Sequence, residues 1–479
     1  MSDERWTSPL GSRYASPAMQ RLWSEAHRVG LWRRLWLALA EAERELGLPI
    51  PDEAIAQLRA HLDDVDLAAA ARYERRYRHD VMAHVHAYAD QAPAARPFLH
   101  LGATSAFVTD NADLVVMRDG LRLLLGRLIA VLSALEGFAI RTADVPCLAY
   151  THFQPAQLTT VGKRATLWMQ DFGLDVEELC HRVETLRFRG CQGTTGTQAS
   201  FLELFGDDHG KVRELERLVT AKLGFREQYA VTGQTYPRKA DSVVLDALSG
   251  IAQSASKLAG DLRLLQHEGE LLEPFESEQI GSSAMAYKRN PMRAERISGL
   301  ARFVISLQAN GAHTAASQWL ERTLDDSANR RLTLPEAFLG TDAILVLATN
   351  IAAGIEVRED VVRRNVAAKM PFMATERWLM LGVATGGDRQ ELHEVIRRHS
   401  LVVADAVARG APNDLLERLA GDPAFAGVPT AQLQAQLEPA NYTGRAAQQV
   451  GEFLEEYLRP ALTRARPLAA EAGIAEVRV

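Results

Sequence analysis

Three apolar seams, in which steps of three and four residues alternate, constrain the fold of this chain most strongly. The first seam consists of Leu114, Met117, Leu121, Leu124, Leu128, Val131, Leu135 and Phe138. The second runs from Val244 to Leu265, and the third from Val161 to Leu186. Such spacing places the apolar residues on one face of a long helix, which a partner helix must cover. The seams therefore predict a bundle of rods, each about 30 Å long or more, with the leucines as core.

The flanks of the seams predict a division into three domains. Further helical patterns cover residues 292–318 and 335–355, whereas alternating strand patterns are scarce. Proline and glycine breakers shorten the helical patterns before residue 104 and after residue 358. We predict an all-α fold with an N-terminal helical domain at 1–104, a central long-helix bundle at 105–357 and a C-terminal helical domain at 358–479. Asp110 or Asn111 is expected to cap the first long helix, and the long seams predict a homo-oligomer.

The charge balance excludes several classes of protein. The 54 basic and 61 acidic residues give a net charge of −7, and 47% of the 479 residues are apolar. A mildly acidic globular chain is not a general nucleic-acid binder, although it can hold a cationic pocket for an anion. Cys147, Cys180 and Cys191 are too few and too widely spaced for a disulfide framework or a zinc site.

The sequence pattern predicts neither a secretion signal nor a membrane-spanning segment. The first ten residues are charged and lack an apolar signal segment. The most apolar run, residues 343–355, is too short to span a bilayer. We therefore expect a soluble cytoplasmic protein that associates with neither membrane nor nucleic acid.

Four polar stretches interrupt the helical periodicity, and the first of them, residues 78–86, contains three histidines. A zinc site on a helix uses histidines four residues apart. Here His79 and His84 are five apart, and His84 and His86 are two apart. The spacing does not favour a metal site. His79, next to Arg78 and Asp80, is a candidate substrate contact, and the other two histidines are expected to be structural.

The second and third stretches leave their function open. Residues 100–111 place Thr104 and Ser105 just before the first long helix, which suits either carboxylate or phosphate binding or a simple capped loop. Residues 151–164 place His152 in a non-helical segment before the next long helix. A lone histidine is usually structural, and catalysis is the alternative. The glycines of residues 189–201 have neither P-loop nor dinucleotide-binding order, so we expect a connection between helices there.

The fourth stretch, QIGSSAMAYKRNPMRAER at 279–296, has the most unusual composition. Gly281 and the small residues beside it permit mobility. Lys288 and Arg289 follow Ser282 by six and seven positions. A serine close to cations and backbone amides can be stabilised as an oxyanion and then act as a strong base. A polar loop between helices explains the mobility but not this composition.

At this stretch the chain resembles a known family. GSSAMAYKRNP at 281–291 is similar to the signature loop GSSxMPxKxNP of the fumarase/aspartase superfamily. Further motifs resemble the adenylosuccinate lyase family and occur in order: SRYAS at 12–16, RHDVMAHVH at 78–86, LGATS at 101–105, THFQPAQLTTVGKR at 151–164, GTTGTQASF at 193–201, TGQTYPRK at 232–239, ERTLDDSANRR at 321–331 and PFMATE at 371–376. One position departs from the pattern. Ala286 stands where the loop usually has proline, so we predict a more mobile loop.

The resemblance implies a reaction and an assembly. The family eliminates fumarate from adenylosuccinate to give AMP, and from SAICAR, the succinylated imidazole-carboxamide ribotide, to give AICAR in purine nucleotide biosynthesis. Such a carbon–nitrogen lyase needs a base, an acid and a cation, so we expect no metal or other cofactor. The superfamily builds a homotetramer around a central helical core, and each active site takes residues from three subunits.

The resemblance also implies a role for each matched residue. Ser282 corresponds to the base, His152 to the acid and Glu295 to the carboxylate that orients His152. Lys288 holds a substrate carboxylate, and His79 is a second catalytic histidine. The implied substrate-binding residues are Arg13, Tyr14, Arg78, His79, Asp80, Thr104, Ser105, Thr151, Gln234, Lys288, Asn290, Arg296, Arg322, Ser327 and Arg331. Of these, Arg13, Tyr14, Arg322, Ser327 and Arg331 are the implied phosphate contacts.

Two alternatives compete with this interpretation. The first is a superfamily lyase for argininosuccinate, aspartate or malate. Those substrates lack a phosphate, so the implied phosphate-side arginines argue against them. The second is a non-catalytic helical assembly protein, and the joint presence of Ser282, His152, Lys288 and Glu295 argues against it.

Overall fold

The structure, a computed structural model, describes residues 6–471, 473 and 477. Helices dominate the described chain, as the all-α prediction requires. They are α1 (Pro17–Leu22), α2 (Glu25–Glu45), α3 (Asp52–Ala60), α4 (Leu67–Tyr77), α5 (Asp80–Gln91), α6 (Ser105–Arg141), α7 (Val161–Thr185), α8 (Ala199–Leu204), α9 (His209–Lys222), α10 (Lys239–His267), α11 (Met292–Ala316), α12 (Asp326–Gly354), α13 (Glu359–Met373), α14 (Thr375–Ala384), α15 (Arg389–Ala408), α16 (Leu415–Ala420), α17 (Thr430–Ala435), α18 (Ala446–Glu452) and α19 (Arg459–Ala465).

The long helices α6, α7, α10, α11 and α12 form the central bundle, and the predicted seams lie inside it. Every residue of the first and second seams is buried. In the third seam the residues from Val161 to Leu179 are buried, and Val183 and Leu186 are partly buried at the helix end. The seams were therefore interpreted correctly as core. A separate apolar cluster joins helices α14 to α17. The proposed domain limits at 104 and 357 stay predictions.

Two expectations about helix ends were wrong. Helix α6 begins at Ser105, with Thr104 at its N-cap. Asp110 and Asn111 therefore do not cap it; both are buried within the helix, where their side chains bond to distant segments. Helix α12 begins at Asp326, nine residues before the predicted start, and contains Pro335 in its interior.

The most apolar run of the sequence is part of a much longer helix than its own length indicated. The apolar run at 343–355 belongs to the 29-residue helix α12, and this helix and the 37-residue helix α6 are both long and apolar enough to cross a membrane by composition. In the most apolar window of each helix, 72% of α12 and 56% of α6 is buried within the protein. Both helices belong to the central bundle, which accounts for their apolar character.

A β-hairpin that the sequence pattern did not reveal precedes α7. Strand β1 (Pro146–Thr151) pairs antiparallel with β2 (Gln154–Thr160). The strands β3 (Leu271–Leu272) and β4 (Glu356–Val357) form a second, very short pair. Leu148 and Leu158 of the hairpin pack against Val366 and Met370 of α13. The hairpin is thus supported by the helix that follows the central bundle.

Candidate active site

A cavity of about 1350 Å³ lies beside the start of α6 and collects many of the predicted substrate-binding residues. Its wall includes parts of α1, α2, α5, α6 and α12 and the loop before α10. The predicted residues on this wall are Arg78, His79, Asp80, Ser105, Gln234, Arg322, Ser327 and Arg331. Residues that are more than 200 positions apart in the sequence therefore meet in one chain.

Hydrogen bonds among these residues fix the geometry of the cavity. His79 is the N-cap of α5, where its Nδ1 accepts a hydrogen bond from Met82 N at 3.4 Å. Its other ring nitrogen, Nε2, lies 3.2 Å from Ser105 Oγ. Since Nδ1 accepts, this network assigns the proton of a neutral ring to Nε2, which then donates to Ser105. The arrangement orients the His79 ring towards the start of α6.

Two arginines of the cavity wall, one just before α12 and one within it, are held by hydrogen bonds to other wall residues. Arg331 Nη2 lies 3.2 Å from Asp80 Oδ2, and Arg322 Nη1 donates to Gln234 Oε1 at 3.0 Å. Arg331 is more than half exposed, so its ion pair with Asp80 is weakened by solvent. Both guanidinium groups keep further N–H donors, and guanidinium geometry suits phosphate.

A buried network of charges forms part of the cavity wall. Arg238 bonds to Asp110 of α6 at 3.1 Å and to Asp326 of α12 at 2.6 Å. Burial alone would raise the pKa of Asp110, but the guanidinium groups of Arg238, Arg330 and Arg189 together outweigh it and hold this pKa below its usual value. Arg330 makes a parallel link between Asp241 and Asp113, at 2.6 Å and 2.9 Å.

This network positions the predicted site residues that follow it in sequence. Asp326 and Arg330 are fixed by the buried ion pairs, and Ser327 and Arg331 are their direct neighbours. The start of α12 therefore presents its polar side chains to the cavity from a rigid base.

The loop before α6 leaves a polar group without a partner. Thr104 Oγ1 is buried and has no hydrogen-bond partner among the described residues. His100, earlier in this loop, accepts a hydrogen bond from Trp36 Nε1 at 2.9 Å. Burial, with a smaller contribution from His79, lowers the pKa of His100 to about 4. The His100 ring is therefore neutral near pH 7 and serves the loop as an acceptor.

The N-terminal site residues form a second group. Arg13 and Tyr14 belong to a short π-helical segment, Leu10–Tyr14. The guanidinium of Arg296 lies over the Tyr14 ring, 5.8 Å from its centroid. Burial lowers the pKa of Arg296, and the nearby charge of Arg13 lowers it further. Three residues that the resemblance assigned to substrate binding thus lie together at the base of the predicted loop.

His152 lies at the tip of the β1–β2 hairpin. Thr151 pairs with Gln154, and His152 and Phe153 form the two-residue turn, with φ of 53° and 57°. Such a turn favours Asn-Gly, and a non-glycine residue pays roughly 1–2 kcal/mol for each left-handed conformation. Both side chains are exposed. The tip of the hairpin therefore presents the His152 imidazole to solvent.

Ser282 lies in the non-helical segment that leads to α11. Its Oγ accepts hydrogen bonds from Met285 N at 3.1 Å and from Ala284 N at 3.4 Å. These amides supply the stabilisation that the sequence predicted for an ionised serine. Gly281 is required beside it, because a Cβ there would lie 2.2 Å from Lys288 O.

Hydrogen bonds hold the base of this loop in place, whereas its far side is exposed to solvent. Glu273 accepts hydrogen bonds from Arg293 N and Ala294 N at 3.0 Å, which holds the start of α11. Asn290 donates to Gly281 O at 2.7 Å, so in this conformation its amide holds the loop rather than a ligand. Lys288 is exposed and available for an anion.

Within one chain the predicted catalytic residues do not all meet. The described lining of the cavity contains His79 but not Ser282, His152, Lys288 or Glu295. Glu295, in the first turn of α11, is exposed, and the structure gives it no contact with His152 within the part of the chain described. Cavity, hairpin tip and serine loop are thus three separate parts of the surface.

Several cavity residues were missed by the sequence analysis. Arg238 and Arg330 lie within motifs that it singled out, TGQTYPRK and ERTLDDSANRR, so a signal was present. Arg28 and Trp32 of α2 carried no such signal, because they belong to an ordinary amphipathic helix. Among the described residues, no group of three or more histidine, cysteine or acidic side chains is arranged to hold a metal ion.

Comparison with known proteins defines first the class and then the family. Residues 16–306 match a family model described as "Lyase", and residues 371–453 match one described as "Adenylosuccinate lyase C-terminus". The chain is similar to a solved 3-carboxy-cis,cis-muconate lactonizing enzyme from Pseudomonas putida, with a TM-score of 0.79 and 24% identity over 96% of this chain and 99% of that chain. A solved fumarate lyase from Mesorhizobium sp. BNC1 has a TM-score of 0.78 and 25% identity over 92% of this chain and 98% of that one. The fold is that of a lyase of the fumarase/aspartase superfamily.

Curated relatives identify the family more closely. The adenylosuccinate lyase of Schizosaccharomyces pombe is 48% identical over 470 residues, 97% of each chain. That of Saccharomyces cerevisiae is 49% identical over 463 residues, 96% of each chain. The chain belongs to the adenylosuccinate lyase family.

Proposed function

We propose that this protein is a carbon–nitrogen lyase that eliminates fumarate from adenylosuccinate to give AMP, and from SAICAR to give AICAR. The observation that carries the proposal is the similarity to adenylosuccinate lyases over 97% of the chain, combined with a cavity whose wall holds arginines and an oriented histidine. A nucleotide with one phosphate and a succinyl group presents several anionic groups, and such a wall complements them.

In the proposed reaction Ser282 removes a proton from the carbon next to a succinyl carboxylate. The amides of Ala284 and Met285, which donate to Ser282 Oγ, stabilise the serine oxyanion. Lys288, exposed on the same loop, binds the carboxylate on which negative charge develops. Asn290 assists Lys288 after it exchanges its contact with Gly281 for the ligand.

His152 is the proposed acid that protonates the leaving nitrogen while the carbon–nitrogen bond breaks. An imidazole is suited to donate a proton near neutral pH. Glu295 is proposed to orient His152 and stabilise its protonated form. His79, held by Ser105 and the start of α5, is proposed to bind and orient the substrate together with Thr104, Thr151 and the remaining polar residues of the wall.

The phosphate of the substrate is proposed to bind the arginine-rich end of the site. Arg322 and Arg331 present guanidinium groups from the segment around the start of α12, with Ser327 between them in sequence. Arg13 and Tyr14 are proposed to add contacts from the N-terminal segment. This phosphate recognition favours a nucleotide over argininosuccinate, aspartate or malate.

A homotetramer is proposed to complete each site. His152 is exposed and Ser282 is half-buried, and both lie away from the described lining of the cavity, which supports sites assembled from three subunits. Leu167 and Leu174 of α7 are 49% and 55% exposed, which supports a further covered face on the central bundle. A soluble tetramer that acts in the cytoplasm on small-molecule nucleotides is the form we propose.

An ultraviolet assay of the purified protein with adenylosuccinate tests the function. We expect turnover by the wild-type protein and a loss of roughly 10²–10⁴-fold or more in the variants Ser282→Ala and His152→Ala. Ser283→Ala, which changes the neighbouring exposed serine, is the matched control and should remain active. Full activity of Ser282→Ala would remove the proposed base.

A further inference from the structure

The cavity is larger than the contacts assigned so far require. Its volume of about 1350 Å³ exceeds the roughly 300–1,000 Å³ of most small-molecule pockets. Helix α2 and the residues just before it add a further part of the wall, which includes Trp23, Arg28 and Trp32. No role in the proposed reaction has been given to this part of the wall.

Arg28 is held in a defined orientation at this wall. Its Cζ atom lies 5.5 Å from the centroid of the Trp32 ring, in a cation–π contact. Trp32 is only 1% exposed and packs edge-on against His84 at 5.4 Å, so it is a rigid support. Arg28 Nε is buried and has no hydrogen-bond partner among the described residues.

No carboxylate compensates the charge of Arg28 in the described chain, whereas three other arginines of the wall are paired with carboxylates. Arg238 and Arg330 each bind two carboxylates, and Arg331 binds Asp80. Within the described chain Arg28 forms neither an ion pair nor a hydrogen bond. Glu25 lies three positions earlier on the same helix, where ion pairs are common, yet the two side chains are not paired. A partly desolvated cation without an acidic partner gains most from an anion supplied by a ligand.

We propose that Arg28 is a further ligand-binding residue that holds an anionic oxygen group, a carboxylate or a phosphate, of the molecule in the cavity. The identity of that molecule as a succinylated nucleotide rests on the proposed function, whereas the anion site itself does not. The cation–π contact with Trp32 fixes the orientation of the Arg28 guanidinium before an anion binds. Little side-chain freedom is therefore lost when the N–H groups of Arg28 donate to the anion.

Calorimetric titration of the full-length protein tests the proposal with three probes: AMP, fumarate and inorganic phosphate. In Arg28→Met we expect affinity to fall by roughly 10- to 100-fold for at least one probe, as for the loss of a charged hydrogen bond. If Arg28→Met binds AMP and inorganic phosphate more weakly, Arg28 contacts the phosphate of the ligand. If only the affinity for fumarate falls, Arg28 contacts a carboxylate of the ligand. Arg21→Met removes an exposed arginine of α1 outside the cavity and should bind like the wild type.

The outcomes separate this proposal from the proposed function. If Arg28→Met binds all three probes as tightly as Arg21→Met does, the proposal is overturned. If Arg28→Met fails to fold, Arg28→Lys decides: a weaker affinity supports the site, and an unchanged affinity overturns it. A wild-type protein that binds the probes but does not cleave adenylosuccinate would refute the lyase and leave the anion site standing.

Discussion

Replacing Ala286 by proline is expected to stabilise the described conformation of the serine loop against more open ones. Met285 O accepts a hydrogen bond from Lys288 N at 3.0 Å, so Ala286 occupies the second position of a β-turn, where proline is favoured. In the described chain the amide of Ala286 donates to no backbone or side-chain acceptor, so proline removes no hydrogen bond. A compatible proline stabilises a protein by about 0.4–1 kcal/mol, which lowers the population of the open loop by about two- to fivefold.

Limited proteolysis with trypsin measures this population, because Lys288 and Arg289 lie in the same loop. When opening is fast relative to cleavage, the cleavage rate follows the open fraction. Cleavage of Ala286→Pro at these residues should slow by about two- to fivefold, and turnover should change with it. Ala284→Pro is the contrasting variant, since it removes an amide that donates to Ser282 Oγ. Equal cleavage rates for Ala286→Pro and the wild type would refute the reasoning.

Three further predictions concern stability. Glu43 is fully buried with both oxygens unpartnered in the described chain, and burial raises its pKa to about 9. The folded protein therefore holds a proton that the unfolded chain, with a pKa of 4.5, releases, so stability falls as pH rises from 4.5 towards 9. Glu43→Gln should raise the melting temperature more at pH 8 than at pH 5, and an equal effect would contradict this. Arg238→Met leaves Asp110 and Asp326 buried without their cation and should cost about 3–5 kcal/mol in urea unfolding; a loss below about 1 kcal/mol would contradict a structural network. Phe153→Gly removes the strain of a non-glycine residue in the left-handed conformation and should raise the free energy of unfolding by about 1 kcal/mol. A lower melting temperature would show that the contacts of the Phe153 ring stabilise the protein by more than this backbone strain costs.

The long helices were predictable because burial and periodicity agree in them. Every seam residue from Leu114 to Phe138 repeats at helical spacing, and all are buried in α6. The start of α12 was misplaced because Pro335 was treated as a helix start, whereas the packed bundle tolerates it in the helix interior. The β1–β2 hairpin was missed because the burial of β2 does not alternate over its first four residues, all exposed.

The site was predictable where motifs mark it and not where tertiary contacts create it. Residues 78–80 and Ser105 belong to recognisable motifs and do meet in the cavity. The pairing of Arg238 with Asp110 spans 128 positions, and no local spacing indicates it. Arg28 belongs to a helix whose sequence resembles that of any amphipathic helix, so only the cavity distinguishes it.

The most direct test of the account mixes two inactive proteins, Ser282→Ala and His152→Ala, after reversible dissociation of the subunits. If base and acid of each site come from different copies, random reassembly should restore about a quarter of the sites, and turnover of adenylosuccinate should return to about that fraction of wild type. A mixture that reassembles fully and stays inactive would show that Ser282 and His152 act within one chain, and would contradict the account.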